Sequence, residues 1–467
     1  MRKGVLGSIA ALTAGAGLAF GQGPAPSARP PAGGYDGLVP ASGQVAPIPP
    51  YLGGVDGPAV VPAAEPPPNG APVYPPPGMY GSTPYQAPPP VDLGARAVAP
   101  HVWVDTEYLL WWVRKQPIPA PLITTGAPAQ GGYIGQPTTQ VLVGACDLGY
   151  GLFSGFRVTG GWFKGDDRRI GVEFSGFLLG QKSVDYFAQS DPNGVPLLAR
   201  PFVNAADGTP GRLLVSFPNQ ASGSVLFRTT SQTWGAEGNG VLNLYRSCPD
   251  DKCLTTINGL LGFRYFELDE FIDIASASTL LGTATSSFAG LTVNSPATIT
   301  VDDQFRTTNR FYGGQIGLKG EMYYGKWYFA ATGKLAVGDM NEVLEVNGQT
   351  GVIDPTRGLA AINPGGLLAN YSTICVMRKD EFVYIPEVTG KIGYNWCSWL
   401  STYVGYNFMY VSKVIRPGNQ ITDTINPSLV PTSPTYGVGG AVATPNVLMT
   451  QSHYWLQGVS FGILMRY

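Results

Sequence analysis

The chain has 467 residues, with 29 Lys plus Arg against 31 Asp plus Glu, a formal charge of −2 and a pI near 5.8. No basic excess exists to hold a phosphate backbone, so the composition argues against a nucleic-acid partner. Charged residues make up 13%, about half the usual ~25%, while Gly (63) and Pro (42) are both over-represented. The only two histidines, His101 and His453, leave no multi-His metal site, and no cofactor motif is present.

The N-terminus reads as a targeting segment. Arg2 and Lys3 precede a Gly/Ala-rich apolar run, residues 5–20, and Ala19-Phe20-Gly21 offers small residues for cleavage before Gln22. Residues 1–21 are therefore expected to be a secretory signal peptide; a membrane anchor is the competing reading. No Cys follows the run, which argues against a lipoprotein anchor. Residues 22–100 hold 22 of the 42 prolines and six charged residues. Pro66-Pro67-Pro68 and Pro75-Pro76-Pro77 cannot pair in a sheet or continue a helix. Too little apolar surface is present to offset chain entropy, so a disordered, partly polyproline tether is expected. Fully extended at ~3.1 Å per residue, it reaches roughly 240 Å. It is either a spacer or a link across the periplasm to a cell-wall or other envelope component.

From His101 the pattern changes to short runs of period two. In the last run Trp455, Val459, Phe461, Ile463, Met465 and Tyr467 share one parity. Gly458, Ser460, Gly462 and Arg466 take the other, with Leu464 the exception. Such alternation puts the two sets on opposite sheet faces. A greasy, aromatic face backed by a small or polar one suits a wall between lipid and a polar interior. Similar runs occur around 102–112, 169–178, 312–322, 387–394 and 404–410. A soluble sandwich also alternates, but export, low charge and aromatics near the run ends favour the membrane.

Short connections are expected at Gly165-Asp166-Asp167-Arg168, Cys248 to Cys253, Tyr324-Gly325-Lys326 and Asn395 to Ser398. Long ones are expected near 115–150, 181–222, 272–304, 345–380 and 418–451. Five long and four short connections predict an all-β, antiparallel transmembrane barrel over 101–467 with about ten strands (range 8–12) and long extracellular loops. The stretches 223–247 and 254–275 are long enough to bend or to hide a turn. Both barrel ends then lie on the short-turn, periplasmic side.

Several segments in fixed order resemble a known family. They are Glu107-Tyr108-Leu109-Leu110-Trp111-Trp112, Pro119-Ala120-Pro121-Leu122-Ile123-Thr124-Thr125-Gly126, Gly171-Val172-Glu173 and Ala199-Arg200-Pro201-Phe202. Trp234-Gly235-Ala236-Glu237, Gly262-Phe263-Arg264-Tyr265 and Gly405-Tyr406-Asn407-Phe408 follow. The last is Val414-Ile415-Arg416-Pro417-Gly418-Asn419-Gln420 with Asn426-Pro427. Over nearly all of 103–467 the chain resembles the putative beta-barrel porins, the seventh family so numbered. The resemblance implies an outer-membrane barrel; it does not by itself imply transport.

About eight strands leave an interior that side chains fill, whereas sixteen or more leave a channel. Ten therefore imply a narrow or plugged lumen. The inward candidates are Asp105, Glu107, Arg157, Glu173, Glu237, Arg264, Lys319, Glu321, Lys334, Glu387 and Lys391. They either pair and fill the barrel or line a polar path for small solutes. Arg416, leaving a strand into a long loop before Pro417-Gly418, is either part of a turn or a site for an anionic group. Of the five cysteines, Cys248 and Cys253 flank a turn and are a candidate disulfide. Cys146 and Cys375 are a second candidate pair, with Cys397 left over.

Gly458-Val459-Ser460-Phe461-Gly462 has the Gly-x-Ser-x-Gly spacing but lies inside the alternating final run rather than on a strand-to-helix turn, and no phosphate loop or Cys-x-x-Cys occurs, so no enzyme is expected. Asp166-Asp167 fits turn chemistry, and Asp302-Asp303 falls far short of a Ca²⁺ coordination set. The expected partners are outer-membrane lipid, the barrel-assembly machinery through the final strand ending at Tyr467, and an envelope component through residues 22–100. Two functions fit this reading: a porin-like conduit, or a structural barrel that anchors envelope layers or displays loops.

Overall fold

The computed structural model describes residues 101–247, 253–438 and 449–467. The signal-peptide and tether segments and Cys248, with its proposed bridge to Cys253, lie outside the described residues. In chain order the strands are β1 (Val102–Val113), β2 (Gln116–Thr125), β3 (Gln140–Leu148), β4 (Leu152–Lys164) and β5 (Ile170–Leu179). Next come β6 (Lys182–Gln189), β7 (Leu198–Asn204), β8 (Pro210–Ser216), β9 (Ala221–Arg246) and β10 (Cys253–Leu280). Then follow β11 (Thr285–Phe288), β12 (Leu291–Asn294), β13 (Thr298–Tyr324), β14 (Trp327–Asp354) and β15 (Leu359–Pro364). The last are β16 (Cys375–Asn395), β17 (Leu400–Ile415), β18 (Thr424–Ile425) and β19 (Gln451–Arg466).

Ten of these strands close a barrel in the order β1-β4-β5-β9-β10-β13-β14-β16-β17-β19, and β19 returns to β1. Every ladder in the ring is antiparallel, and the seam pairs Trp103 with Arg466 and Trp112 with Gln457. The β13–β14 turn is tight: Tyr324 pairs with Trp327 and Gly325 takes a φ of +57°. That left-handed conformation favours glycine. His101 and Tyr467 lie at this short-turn end, because β1 begins where β19 and β4 finish.

Parity places the bilayer. On β13, Tyr312, Ile316, Leu318, Met322 and Tyr324 are exposed and face outward. Matching residues include Leu261 and Phe263 on β10, Val388 and Ile392 on β16, and Phe461 and Ile463 on β19. Exposed aromatics rim this band. Tyr245, Tyr324, Trp327, Trp396, Trp399 and Tyr467 form the lower girdle, and Tyr108, Trp112, Trp234, Tyr312 and Tyr384 the upper one. Trp234, Tyr265 and Tyr312 make an aromatic ladder with centroid spacings of 4.8 and 5.1 Å. From Tyr312 to Tyr324 runs roughly 12 steps of ~3.4 Å, which at a ~40° tilt is about 30 Å, the thickness of a hydrocarbon core.

The strands do not stop at the upper girdle. β9, β10, β13 and β14 are 26, 28, 27 and 28 residues long. Residues 272–304 and 345–380, expected as long loops, are largely strand. Only 281–297, carrying the β11–β12 hairpin, and 355–374, carrying β15, connect these strands. Nor do 223–247 and 254–275 bend into extra strands; they belong to β9 and β10, which pair throughout with one register shift at Ile257/Asn258. The misreading has a physical cause: above the membrane the outward face turns polar, and the runs look like loop composition.

Above the bilayer, β6 takes over from β5 as the partner of β9, and β15 takes over from β16 beside β14. The result is a six-stranded wall, β6-β9-β10-β13-β14-β15. A second sheet, β18-β7-β2-β3 with β8 on β7, is built from the expected long connections. Ile118, Leu122, Val143, Leu198 and Val215 of that sheet join Phe227, Ile272, Ile274, Phe305 and Val346 of the wall in one buried core. Cys146 lies exposed on β3 and Cys375 opens β16; both thiols are free, so the expected Cys146–Cys375 pairing is not formed.

Candidate functional site

The barrel interior is stacked in layers. At the short-turn end, Trp103, Leu254, Tyr323, Tyr328, Tyr403 and Leu464 form an aromatic floor. Leu464, the apolar exception on the inner parity of the last strand, is a floor residue. The Arg466 guanidinium stacks 4.7 Å from the Tyr323 ring centroid and donates to Asn395 Oδ1 at 2.8 Å. Ser401 Oγ also accepts from it.

Above the floor the eleven inward candidates meet. Lys391 Nζ donates to Asp105 Oδ2 and Glu107 Oε1, both at 2.7 Å, and to Tyr403 Oη at 2.9 Å. Lys319 Nζ donates to Glu173 Oε2 at 3.0 Å and lies 4.0 Å from Glu321. Arg264 bridges two carboxylates: Nη2 reaches Glu237 Oε2 at 2.6 Å and also Glu387. Lys334 pairs with Glu237. Arg157 donates to Glu387 Oε1 at 3.2 Å and to Asn407 Oδ1 at 2.9 Å, and its guanidinium lies 5.2 Å from the Trp111 ring centroid. Six carboxylates thus face five cations, −6 + 5 = −1, and Arg466 below brings the balance to zero. Confined charges are stable only when paired and hydrogen-bonded, which is the arrangement seen.

Over the charges lies an apolar septum. Leu109 and Trp111 (β1), Phe153 (β4), Leu179 (β5), Phe266 and Leu268 (β10), Phe311 (β13), Met340 (β14), Val383 and Ile385 (β16), Met409 and Val411 (β17) and Leu456 (β19) are all buried. β9 contributes Thr233, whose hydroxyl lies 3.3 Å from Tyr454 Oη. Nine ring strands thus send apolar side chains to one level. The cavities left around the charges are small. One bounded by Trp103, Glu173, Lys319 and Arg466 measures about 30 Å³, one beside Arg157 and Glu237 about 20 Å³, and one beside Asp105 and Lys391 about 50 Å³. Such volumes hold a few waters at most.

Two buried ion pairs tie the superstructure down. Arg416 grips Glu270 bidentately, Nε to Oε2 at 2.8 Å and Nη2 to Oε1 at 2.6 Å, with both side chains fully buried. Arg416 Nη1 also donates to the carbonyls of Arg114 and Lys115, and the guanidinium stands 5.2 Å from the Tyr454 ring centroid. The sequence-based option of an anionic ligand at Arg416 is therefore corrected, because an internal carboxylate saturates the group. Gly418, two residues on, packs where a Cβ would strike the Pro117 carbonyl. Arg200 and Asp303 form the second pair, again fully buried, and Asp303 Oδ1 accepts from Leu368 N and Ala369 N at 2.9 and 2.7 Å.

Sequence reasoning missed Glu270, Tyr403, Asn407, Arg466 and the septum residues as interior partners. Arg466 was visible by parity alone. Glu270 was not, because its importance depends on which loop residue comes to lie over it.

This geometry defines a membrane-spanning β-barrel with a filled interior. Residues 103–467 match the family described as Putative beta barrel porin-7, and the chain belongs to that family, which places it in the bacterial outer membrane. Among solved structures it is similar to the outer membrane protease OmpT of Escherichia coli, at 11% identity over 78% of this chain and 96% of that one, with a TM-score of 0.30. It is also similar to the Pseudomonas putida toluene transporter TodX, at 9% identity over 80% of this chain and 91% of that one, with a TM-score of 0.18. No curated protein sequence matches it.

Proposed function

We propose that this protein is a non-conducting outer-membrane pedestal: a sealed barrel that holds a folded superstructure outside the bilayer. One observation carries the reading. An apolar septum contributed by nine ring strands lies over a charge network with no net charge. An ion crossing it would leave water for a packed hydrocarbon layer, at a prohibitive desolvation cost. The alternative, a narrow conduit for small solutes, requires the septum to part.

On the same reading the outward band binds outer-membrane lipid, the strand ending at Tyr467 engages the assembly machinery, and residues 22–100 extend into the periplasm toward an envelope component. The protein catalyses no reaction and binds no nucleic acid. His453, which stacks 5.7 Å from Tyr410, serves as an interfacial aromatic partner. The test is conductance of the refolded full chain in planar bilayers, with heat-modifiable gel mobility to certify folding. The pedestal reading expects electrical silence, and leak only after Trp111→Ala and Met409→Ala are combined. Stable ohmic steps from the unmodified chain would replace it with the conduit.

A further inference from the structure

The superstructure holds a cavity of about 120 Å³, far larger than the interior ones. Its floor is apolar: Val215 of β8, Leu280 of β10 and Ile299 and Val301 of β13 are buried. Its other side carries hydroxyls: Ser276 and Ser278 on β10, Thr285 and Ser286 on β11, and Thr432 from the loop before β19. Among the described residues, no charged side chain lines it. Neighbouring hydroxyls are engaged. Thr279 and Thr298 meet at 2.9 Å, Ser287 donates to Ser433 O at 3.1 Å and Ser295 to Leu280 O at 3.0 Å. Among the described residues, the hydroxyls of Ser278, Thr285, Ser286 and Thr432 have no hydrogen-bond partner.

The pocket opens to solvent at one side, and its aliphatic floor is apolar surface that a ligand removes from water. Water satisfies the hydroxyl side but finds no partners on the aliphatic floor. We propose that this cavity is a binding site for a small neutral alcohol of about phenol size. The ligand's hydrocarbon face rests on Val215, Ile299 and Val301, and its hydroxyl bonds to the uncommitted Ser and Thr groups. The volume is of the same order as an engineered ~150 Å³ cavity that takes benzene, and the open rim leaves room for a ring of that size to carry a hydroxyl. The lack of charge on the walls selects against anions and cations. Gln220 and Thr285 are exposed and form the rim through which the ligand enters.

This proposal stands whether or not the barrel conducts. The experiment is a ligand-observed NMR titration of the folded full chain with cyclohexanol, with benzene as the control lacking a hydroxyl. Ser278→Leu fills the site, and Thr432→Val removes one hydroxyl at constant shape. Saturable cyclohexanol binding is expected, with benzene binding more weakly. T432V should weaken cyclohexanol about fivefold, the value of one neutral hydrogen bond, and S278L should abolish it. Because S278L changes core volume, T432V carries the test if the former fails to fold. Uptake that never saturates and is equal in the unmodified chain and T432V is partition into detergent around a water-filled void, and overturns the site.

Discussion

β10 passes through two environments that invert its polarity without changing its parity. Below the upper girdle its odd positions, Ile257, Leu261 and Phe263, face lipid, and even positions such as Asn258 and Arg264 face a polar lumen. Above the girdle the odd positions, Glu267, Asp269 and Asp273, lie on the outer face. Even positions Leu268, Ile272 and Ile274 are fully buried. β13 makes the same exchange between Ile316 outside and Phe305 inside. The hydrophobic effect always removes apolar surface from water. In the membrane the water-free side is outside, and in the superstructure it is inside. One strand therefore serves as barrel wall and as half of a sandwich, with the apolar set changing faces at the interface.

This contrast can be broken at chosen residues. The largest effect is expected at Phe305, where F305D would bury a lone carboxylate in the superstructure core. A loss of about 4–5 kcal/mol in urea unfolding of the refolded protein is expected; a loss under about 1 would show that the superstructure is not packed. Next comes Glu270→Ala, which strands Arg416 without its carboxylate. It should cost about 3–5 kcal/mol, and the double variant with Arg416→Met should recover most of that. Ile316→Lys faces lipid and should cost about 2–4 kcal/mol if it lies near the midplane. The outward upper-wall change Gln304→Lys should stay within about 0.5 kcal/mol by the same measurement. Equal costs at 304 and 316 would refute the position assigned to the upper membrane boundary.

A further effect is electrostatic. On the outer face of the upper wall, burial and the nearby carboxylates of Asp273 and Asp303 push the Asp302 carboxyl up to about 7. Gln304 Nε2 at 3.1 Å and Gln349 Nε2 at 3.5 Å donate to its Oδ2. The folded form binds the proton more tightly than the unfolded chain, whose carboxyl titrates near ~4. Stability from this group is complete below about 4 and is lost as pH rises toward 7. Protection factors of upper-wall amides, taken against the intrinsic exchange rate at each pH, should therefore fall over that window, and Asp302→Asn should flatten the dependence. An unchanged slope in D302N would assign the effect to another group.

The fold's lower half was legible because strand periodicity is local. Exposed Phe461 and Ile463 and buried Ser460 lie on the faces their spacing indicates. The eleven inward charges could be named for the same reason, since an ionised group on a wall strand faces away from lipid. The upper half was not legible as strand. Asp302, Asp303 and Gln304 look like loop residues, and only the second sheet packed behind Phe305 turns that segment into wall.

By itself the sequence determined the barrel, its approximate strand number and which side chains face inward, because period-two patterning and low charge are properties of neighbouring residues. Tertiary structure alone decided what the interior does. Trp111, Phe266, Met340 and Met409 come from four distant strands, and only ring closure brings them to one level as a septum. Arg416 could be read as a loop cation until a contact 146 residues distant in sequence gave it Glu270. Burial and pairing depend on contacts remote along the chain, and so they are fixed only once the chain has closed on itself.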